Sequence, residues 1–249
     1  MEKTFTVPSG HSYTIREQNG ADDDILSSKV ELEKLMNITN FISAIVVKTD
    51  YTESGKLSPE EAYTLPVLDR NVILIQSRIH SLGKDVEFDF EWKKDLKVSY
   101  IQDLEELIFT DYSKVPEKEE IMAKPDAVPY YPIKQFKDLK ITTTSGKVFL
   151  FDIYTNDQEV RYMNLPLAEQ TKNKKLTCRN LRLLIDGKPV VVSNFDMFSV
   201  QEMKEINKAI KDMDPVYSGY IYINNPDNPN QKYPINIFSL DSFFYLEEI

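Results

Sequence analysis

The pattern of apolar and polar residues repeats, imperfectly, in two parts of the chain. The segment Phe5–Arg16 alternates apolar and polar residues on either side of a Ser-Gly pair, and 136 positions later Ile141–Asp152 carries a similar pattern. Each copy leads into asparagine and acidic residues, first Asn19–Asp24 and then Asn156–Glu159. Glycine allows a tight turn, and acids suit the positive end of a helix. We interpret each copy as strand, Ser-Gly turn, strand and helix start.

Helices are predicted where apolar residues recur every three or four positions. Val30–Val47 carries one broad apolar face, and Asp69–Leu82 carries another that a following glycine is placed to end. Two serine caps with glutamate three positions later open further helices, at Ser58 and at Ser199. The helix that follows Ser199 is predicted to end before a proline, at about Met213.

Two further strand pairs are predicted from strict alternation. Val86–Trp92 alternates apolar and acidic residues, with Leu96–Ile101 as its partner, and Tyr220–Ile223 pairs with Tyr233–Phe238. Between them, Asp103–Phe109 fits a short helix and a strand equally well.

These elements predict an α+β fold of two similar halves, each a β-hairpin followed by helices, with additional small antiparallel sheets. Four prolines punctuate the segment from Ser113 to Pro132, and this density of proline predicts neither helix nor sheet ladder. We therefore predict an N-terminal half over residues 1–112, a proline-rich connector over 113–133 and a C-terminal half over 134–249.

Composition limits the class of protein. The chain has 249 residues, of which 41% are hydrophobic, enough for a folded core. Its 40 acidic and 30 basic residues give a formal charge of −10, which disfavours broad binding to nucleic acid or to an anionic membrane. No apolar stretch approaches the roughly 20 residues that span a bilayer, and the first residues lack a signal-peptide core. We expect a soluble intracellular protein.

Candidate catalytic residues are few. Only His11 and His80 could act as histidine bases, and the single cysteine, Cys178, excludes an intrachain disulfide and a cysteine-built zinc site. Seven glycines provide no phosphate-binding loop. No catalytic residue, metal site or cofactor is predicted. A hydrolase with a carboxylate pair stays open, and it would show as a cleft lined by two carboxylates with perturbed pKa values.

The remaining signal is for association with another protein. Aromatic residues are enriched at interface hot spots, and the chain offers two aromatic groups outside the predicted elements. We predict partner-binding roles for Phe243, Phe244, Tyr245, Tyr130 and Tyr131. The alternative is that the C-terminal aromatics cover the protein's own core and that the tyrosine pair packs the connector onto the fold. Under the partner hypothesis, deletion of residues 243–249 abolishes binding and leaves a cooperative fold.

An ordered set of local motifs carries a family resemblance. The motifs are the Pro-Ser-Gly hairpin followed by an arginine, the acidic helix start, the step from a helix into a strand, the second Ser-Gly hairpin, an Asp-Gly pair before a helix, and the aromatic end. In order they are Val7–Glu17, Asp22–Leu26, Arg78–Phe88, Ser145-Gly146, Ile185–Gly187 and Phe243-Phe244. This order resembles the base-plate protein family of contractile-tailed, T-even-type bacteriophages.

The resemblance implies a non-enzymatic bacteriophage tail or baseplate protein that acts in baseplate hub structure or assembly through protein-protein contacts. Its partners would be other phage tail or baseplate proteins, with no nucleic acid, membrane or small-molecule substrate. It would be found in the host cytoplasm during assembly or in the virion as a structural protein of the tail baseplate. Many family members carry paired cysteines near the end, whereas Gly219–Phe238 has none, so ordinary packing would replace a metal here. The alternative is a tail assembly chaperone that binds a tail or tape-measure protein.

Overall fold

The computed structural model describes residues 1–130 and 135–245. Helices and strands alternate irregularly along the chain. Up to residue 130 they are β1 (Glu2–Thr6), β2 (Ser12–Arg16), α1 (Gly20–Ser27), α2 (Lys29–Glu33), α3 (Asn37–Ile45), β3 (Val46–Thr49), α4 (Pro59–Tyr63), α5 (Val67–Leu82), β4 (Asp85–Lys93), β5 (Leu96–Asp103) and α6 (Lys118–Ala123).

The remaining elements follow a similar order. They are β6 (Leu139–Thr142), β7 (Val148–Phe151), α7 (Asn156–Met163), α8 (Lys172–Cys178), β8 (Arg182–Ile185), β9 (Lys188–Val191), α9 (Val200–Met213), β10 (Tyr220–Asn225), β11 (Asn228–Asn236) and α10 (Asp241–Phe244). Short 3-10 turns occur at Leu104–Leu107, Leu167–Glu169 and Ile237–Ser239.

The predicted α+β fold is confirmed. In the described residues the strands form antiparallel sheets in the orders β1-β2-β3, β4-β5, β6-β7-β8-β9 and β10-β11. Both predicted strand pairs outside the Ser-Gly hairpins are therefore present. Along β4 the apolar residues point inward and the acidic residues outward, as alternation predicts.

The two Ser-Gly hairpins have the same backbone pairing. Thr6 pairs with Ser12 in the first hairpin, and Thr142 pairs with Val148 in the second, at positions offset by 136. The turn hydrogen bonds also correspond, since Gly10 donates to the carbonyl of Val7 (2.8 Å) as the glycine 136 positions later donates to Thr143 (2.9 Å). Both glycines have positive φ, 87° and 83°, a conformation that strains any other residue.

Each hairpin turn is held by an acidic residue in the first turn of a long helix. The backbone N–H of Ser9 donates to Asp69 Oδ1 at 3.0 Å, and Asp69 is the third residue of α5. In the second hairpin, Ser145 Oγ donates to Glu202 Oε1 at 2.7 Å, and Glu202 is the third residue of α9. Lys147 adds an ion pair to Glu202 at 2.8 Å. The position of each long helix against its sheet is thus fixed by a carboxylate.

Two hydrophobic clusters form the core of the described residues. The larger draws on segments from Phe5 to Phe243 and surrounds α5, of which Val67–Arg78 is buried except for Arg70. The smaller lies between the β6–β9 sheet and one face of α9, where Ile206 and Ile210 are buried. Because the larger cluster takes residues from both predicted halves, the halves share a core. The predicted division at 113–133 remains a prediction.

The hairpins β4-β5 and β10-β11 pack against each other. Phe90 and Tyr233 have ring centroids 4.7 Å apart, and Tyr100 donates its hydroxyl to the carbonyl of Asn224 at 3.0 Å. The Trp92 indole N–H donates to the Tyr100 oxygen at 2.7 Å. Since an isolated two-stranded hairpin is only marginally stable, this mutual packing stabilises both.

Some sequence predictions are wrong in their boundaries. The single helix predicted over Val30–Val47 is broken, because α2 ends at Glu33 and Leu35 has φ of 57°, which no helix continues. Its last residues belong to β3, where β-branched Val46 pairs with Ile15. Periodicity predicted the apolar face correctly, but it carries no signal for a single backbone reversal.

Two more local predictions are corrected. The proline-rich connector was predicted to exclude helix, yet α6 fits between its prolines, since six residues make a turn and a half of helix. The ambiguous segment after Asp103 contains a 3-10 turn, capped by the Asp103 side chain. For Asp186-Gly187 the residues alone leave two possibilities, a hairpin turn or the end of a helix, and the structure has the hairpin turn, in which both residues have positive φ. Strand β9 therefore lies between this pair and the helix that the family motif places after it.

The two carboxylates that hold the turns predict opposite dependences of stability on pH. Burial raises the pKa of Asp69 to about 7, so folding takes up a proton between pH about 4 and 7, and stability falls as pH rises through that window. Asp69→Asn keeps an oxygen for the Ser9 amide and removes the titration. In urea unfolding, the free energy of unfolding of the variant minus that of the wild type should increase from pH 5 to pH 8, by up to about 1.4 kcal/mol per pH unit.

The matched variant is Glu202→Gln. The ion pair with Lys147, together with Ser145, lowers the pKa of Glu202 to about 2, so its contribution is present above pH about 4.5 and is lost as pH falls. Above pH 5 the free energy of unfolding of this variant should be lower than that of the wild type. Toward pH 2 the difference between the two should disappear. Parallel pH profiles for Asp69→Asn and wild type would contradict the buried-carboxyl account.

Candidate functional site

The two parts of the chain meet where the link between α4 and α5 runs beside the link between β7 and α7. Val67 donates its backbone N–H to the carbonyl of Tyr154 at 2.9 Å, and Asn156 donates to Leu65 at 2.8 Å. Pro66 and Thr155 lie between these bonds as an isolated antiparallel bridge. This backbone pairing fixes the N-terminus of α7 beside the N-terminus of α5.

Buried polar side chains reinforce this junction. The Arg70 guanidinium donates to Asn156 Oδ1 at 2.8 Å and forms an ion pair with Glu159. Asn156 in turn donates to Thr39 Oγ1 at 2.7 Å. Hydrogen bonds to a charged group in a water-poor setting are among the stronger ones, so the junction is rigid.

A groove of about 540 Å³ opens beside the junction, and it is our candidate site. Tyr51 and Phe136 supply its aromatic walls, from opposite parts of the chain. The His11 ring lies between them, with centroids 5.2 Å from Tyr51 and 6.3 Å from Phe136. His11 Nδ1 is 3.2 Å from Asp50 Oδ1, so the imidazole supports the wall and is oriented by a carboxylate.

The polar residues of the groove are mostly bonded to one another. Asp152 accepts hydrogen bonds from Arg182 at 2.5 Å and from Asn180 at 2.7 Å. Asp157 accepts from Arg161 at 3.0 Å and from Thr155. Both carboxylates are therefore neutralised by arginines.

Gln158 is the exception in the groove. It is 5% exposed, it lines the groove, and its Oε1 has no hydrogen-bond partner and no contact with solvent. A buried polar atom without a hydrogen-bond partner lowers the free energy of unfolding by about 1–3 kcal/mol, so Gln158 destabilises the fold.

Of the sequence-predicted partner-binding residues that the structure describes, none lines this groove. Phe243 is 1% exposed and packs edge-on against Phe238 and Phe244, so its ring belongs to the core. Phe244 and Tyr245 line a shallow depression of about 360 Å³ at the N-terminus of α1. The partner-binding role of these rings remains a prediction.

Of the two adjacent tyrosines predicted to bind a partner, the structure describes one. Tyr130 is partly buried against the larger core cluster, and Tyr131 lies outside the described residues. Tyr130 therefore contacts the fold with part of its ring, and its partner-binding role remains a prediction.

The few candidate catalytic side chains do not come together. His11 contacts Asp50, His80 Nε2 lies 3.1 Å from the carbonyl of Met1, and Cys178 is at the end of α8. Burial raises the pKa of the Cys178 thiol, which lowers its reactivity. Over residues 1–130 and 135–245 there is no group of three histidine, cysteine or acidic residues arranged to hold a metal ion.

Three comparisons with known proteins were without a match. No protein-family model, curated protein or solved structure matches the chain. Among the helices of the described residues, none combines the length and apolar character needed to cross a membrane.

Sequence reasoning missed the groove. Tyr51, Phe136 and Gln158 come from three separate segments, and neither Tyr51 nor Phe136 belongs to a motif. Only the alignment of the two hairpin copies carried a usable signal, because it places Gln158 opposite a capping aspartate of the first copy.

The burial of Phe243 generates a stability prediction. Phe243→Ala should lower the free energy of unfolding by about 3–5 kcal/mol, because it removes a ring from a packed core. Tyr245→Ala, at a residue that is 37% exposed, should change it by no more than about 0.5 kcal/mol. Chemical denaturation of both variants checks this. If the two variants were equally stable, the burial of Phe243 would be contradicted. The expectation that residues 243–249 can be deleted without loss of the fold would then stand.

Proposed function

We propose that this protein is a non-catalytic binding protein that acts in the assembly of a contractile phage tail, as a component of the baseplate hub. The observation that carries the binding function is the groove at the junction, which joins aromatic walls to a buried amide without a partner. Aromatic surface and an unsatisfied amide favour binding and supply no nucleophile or free base. The phage setting rests on the ordered motifs of the sequence.

We further propose that the chain is two copies of one unit. In each copy a Ser-Gly hairpin leads through helices to a strand that pairs with the hairpin, then to a long helix and a second hairpin. β3 and β8 both pair antiparallel with the second strand of their hairpin. A 3-10 turn capped by Asp103 or Asn236 ends each second hairpin. Two joined units offer two related surfaces for assembly.

A carboxylate-dependent hydrolase is the less favoured alternative. Two carboxylates, Asp152 and Asp157, do line the groove, as such an enzyme requires. However, each is ion-paired with an arginine, Arg182 and Arg161 respectively. Glycoside chemistry needs one carboxyl in an apolar setting, and neither of these two has one.

The assembly function can be tested by following a tagged full-length chain during infection by a phage in which the tagged copy replaces the natural one. A hub component should appear in purified particles at constant stoichiometry, together with other baseplate proteins. A tail assembly chaperone should bind tail or tape-measure protein in the lysate and be absent from particles. Quantitative mass spectrometry of both fractions separates the two.

The same experiment can contradict the proposal. If the chain copurifies with no tail protein in either fraction, the assembly function is wrong. A hydrolytic activity of the wild type that is lost in the double variant Asp152→Asn, Asp157→Asn would favour the enzyme.

A further inference from the structure

We propose that the groove at the junction binds an extended peptide segment of a partner protein. An aromatic side chain of that segment packs on Tyr51 and Phe136, and a main-chain amide bonds to Gln158. This inference rests on the proposed binding function and names the partner's chemistry at one site.

The amide of Gln158 is the first argument. Neither the fold nor solvent satisfies its Oε1, although the residue is 5% exposed and lines the groove. The terminal torsion of glutamine is broad, and in this proposal a rotation about it turns the side-chain amide toward the bound segment. A peptide group supplies one donor and one acceptor, which is the complement of a side-chain amide.

The first hairpin copy provides an internal comparison. At an offset of 136, Gln158 corresponds to Asp22, and Asp152 corresponds to Arg16. Arg16 donates to both oxygens of Asp22, at 2.7 and 2.8 Å, and the Asn19 N–H donates to the same carboxylate at 2.8 Å. Asp22 is therefore buried with every oxygen bonded.

In the second copy that internal pair is absent. Asp152, which stands where Arg16 stands in the first copy, accepts hydrogen bonds from Arg182 and Asn180. Gln158 Oε1 therefore has no arginine comparable to the one that binds Asp22. Both positions are buried, but the side chain is fully hydrogen-bonded at Asp22 and has an unbonded Oε1 at Gln158. A ligand bound to Gln158 would supply the kind of hydrogen bond that Arg16 and Asn19 supply to Asp22 in the first copy.

The charge of the groove disfavours a cationic ligand. Asp152 and Asp157 are ion-paired with Arg182 and Arg161, so neither offers a cation an unpaired carboxylate, and Lys137 also lines the groove. Aromatic walls add apolar surface from both sides, and a ring packed on Tyr51 or Phe136 gains more than its area alone. A peptide with an aromatic residue meets both requirements.

The test uses the full-length chain and a displayed library of random peptides. The enriched sequences should share an aromatic residue, and a synthetic peptide of the winning sequence should bind with an affinity measurable by fluorescence anisotropy. Gln158→Leu should weaken that peptide about tenfold or more, since a buried hydrogen-bonding pair is lost. The same variant should raise the melting temperature, because it removes an unpaired buried polar atom. A residue with a purely structural role would lower it.

Gln76→Leu is the matched control. Gln76 is 6% exposed, and its Oε1 also has no partner, but it lies on α5 facing a different depression. This variant should raise the melting temperature similarly and leave peptide affinity unchanged. Tyr51→Ala is a second variant, expected to weaken the peptide by removing an aromatic wall.

Three outcomes would overturn the inference. They are the absence of an enriched aromatic sequence, equal affinity of the winning peptide for wild type and Gln158→Leu, and binding of N-acetyl-tyrosinamide as tight as that of the peptide. The last would make the groove a small-molecule site. None of these outcomes depends on whether the chain is found in phage particles, so failure of this inference is distinguishable from failure of the assembly function.

Discussion

The contact on which the rest of the structure depends is that between a hairpin turn and a carboxylate in the first turn of a long helix. A sheet with one apolar face and a helix with one apolar stripe can pack in several registers, since apolar contact is not directional. A hydrogen bond from the Ser9 amide to Asp69 selects one of them, and Glu202 does the same for the Ser145 hydroxyl. Once both long helices are placed, the two links that form the junction are brought side by side.

The chemistry of the two contacts differs with the residue that follows each Ser-Gly pair. Lys147 follows the second turn and binds Glu202, whereas the counterpart in the first turn is His11, which turns to Asp50. The first carboxyl is therefore buried without a cation, and the second is charged and paired. The same backbone arrangement is held by a buried carboxyl group without a cation in the first hairpin and by an ion pair in the second. His11 is thereby free to support the aromatic wall of the groove.

Local sequence signals predicted much of the fold. Capping boxes at Ser58 and Ser199, the Ser-Gly turns and the alternation of β4 each depend on neighbours within a few positions, and all are confirmed. Features set by distant contacts could not be predicted. Phe243 reads as a free aromatic end until the core that covers it is known, and Gln158 reads as an ordinary helical residue until its missing partner is seen. The groove at the junction belongs to this second kind.

The central claim, that a buried carboxylate holds the first turn on α5, is tested most directly by amide hydrogen exchange of the full-length chain, followed by NMR. The account predicts that the Ser9 amide is protected in the wild type and that Asp69→Ala raises its exchange rate. The Thr144 amide, which donates to Glu205 at 2.8 Å in the second turn, should stay protected in the same variant. A Ser9 amide that exchanges as fast as an unstructured one in the wild type, or at an unchanged rate in Asp69→Ala, would contradict the account.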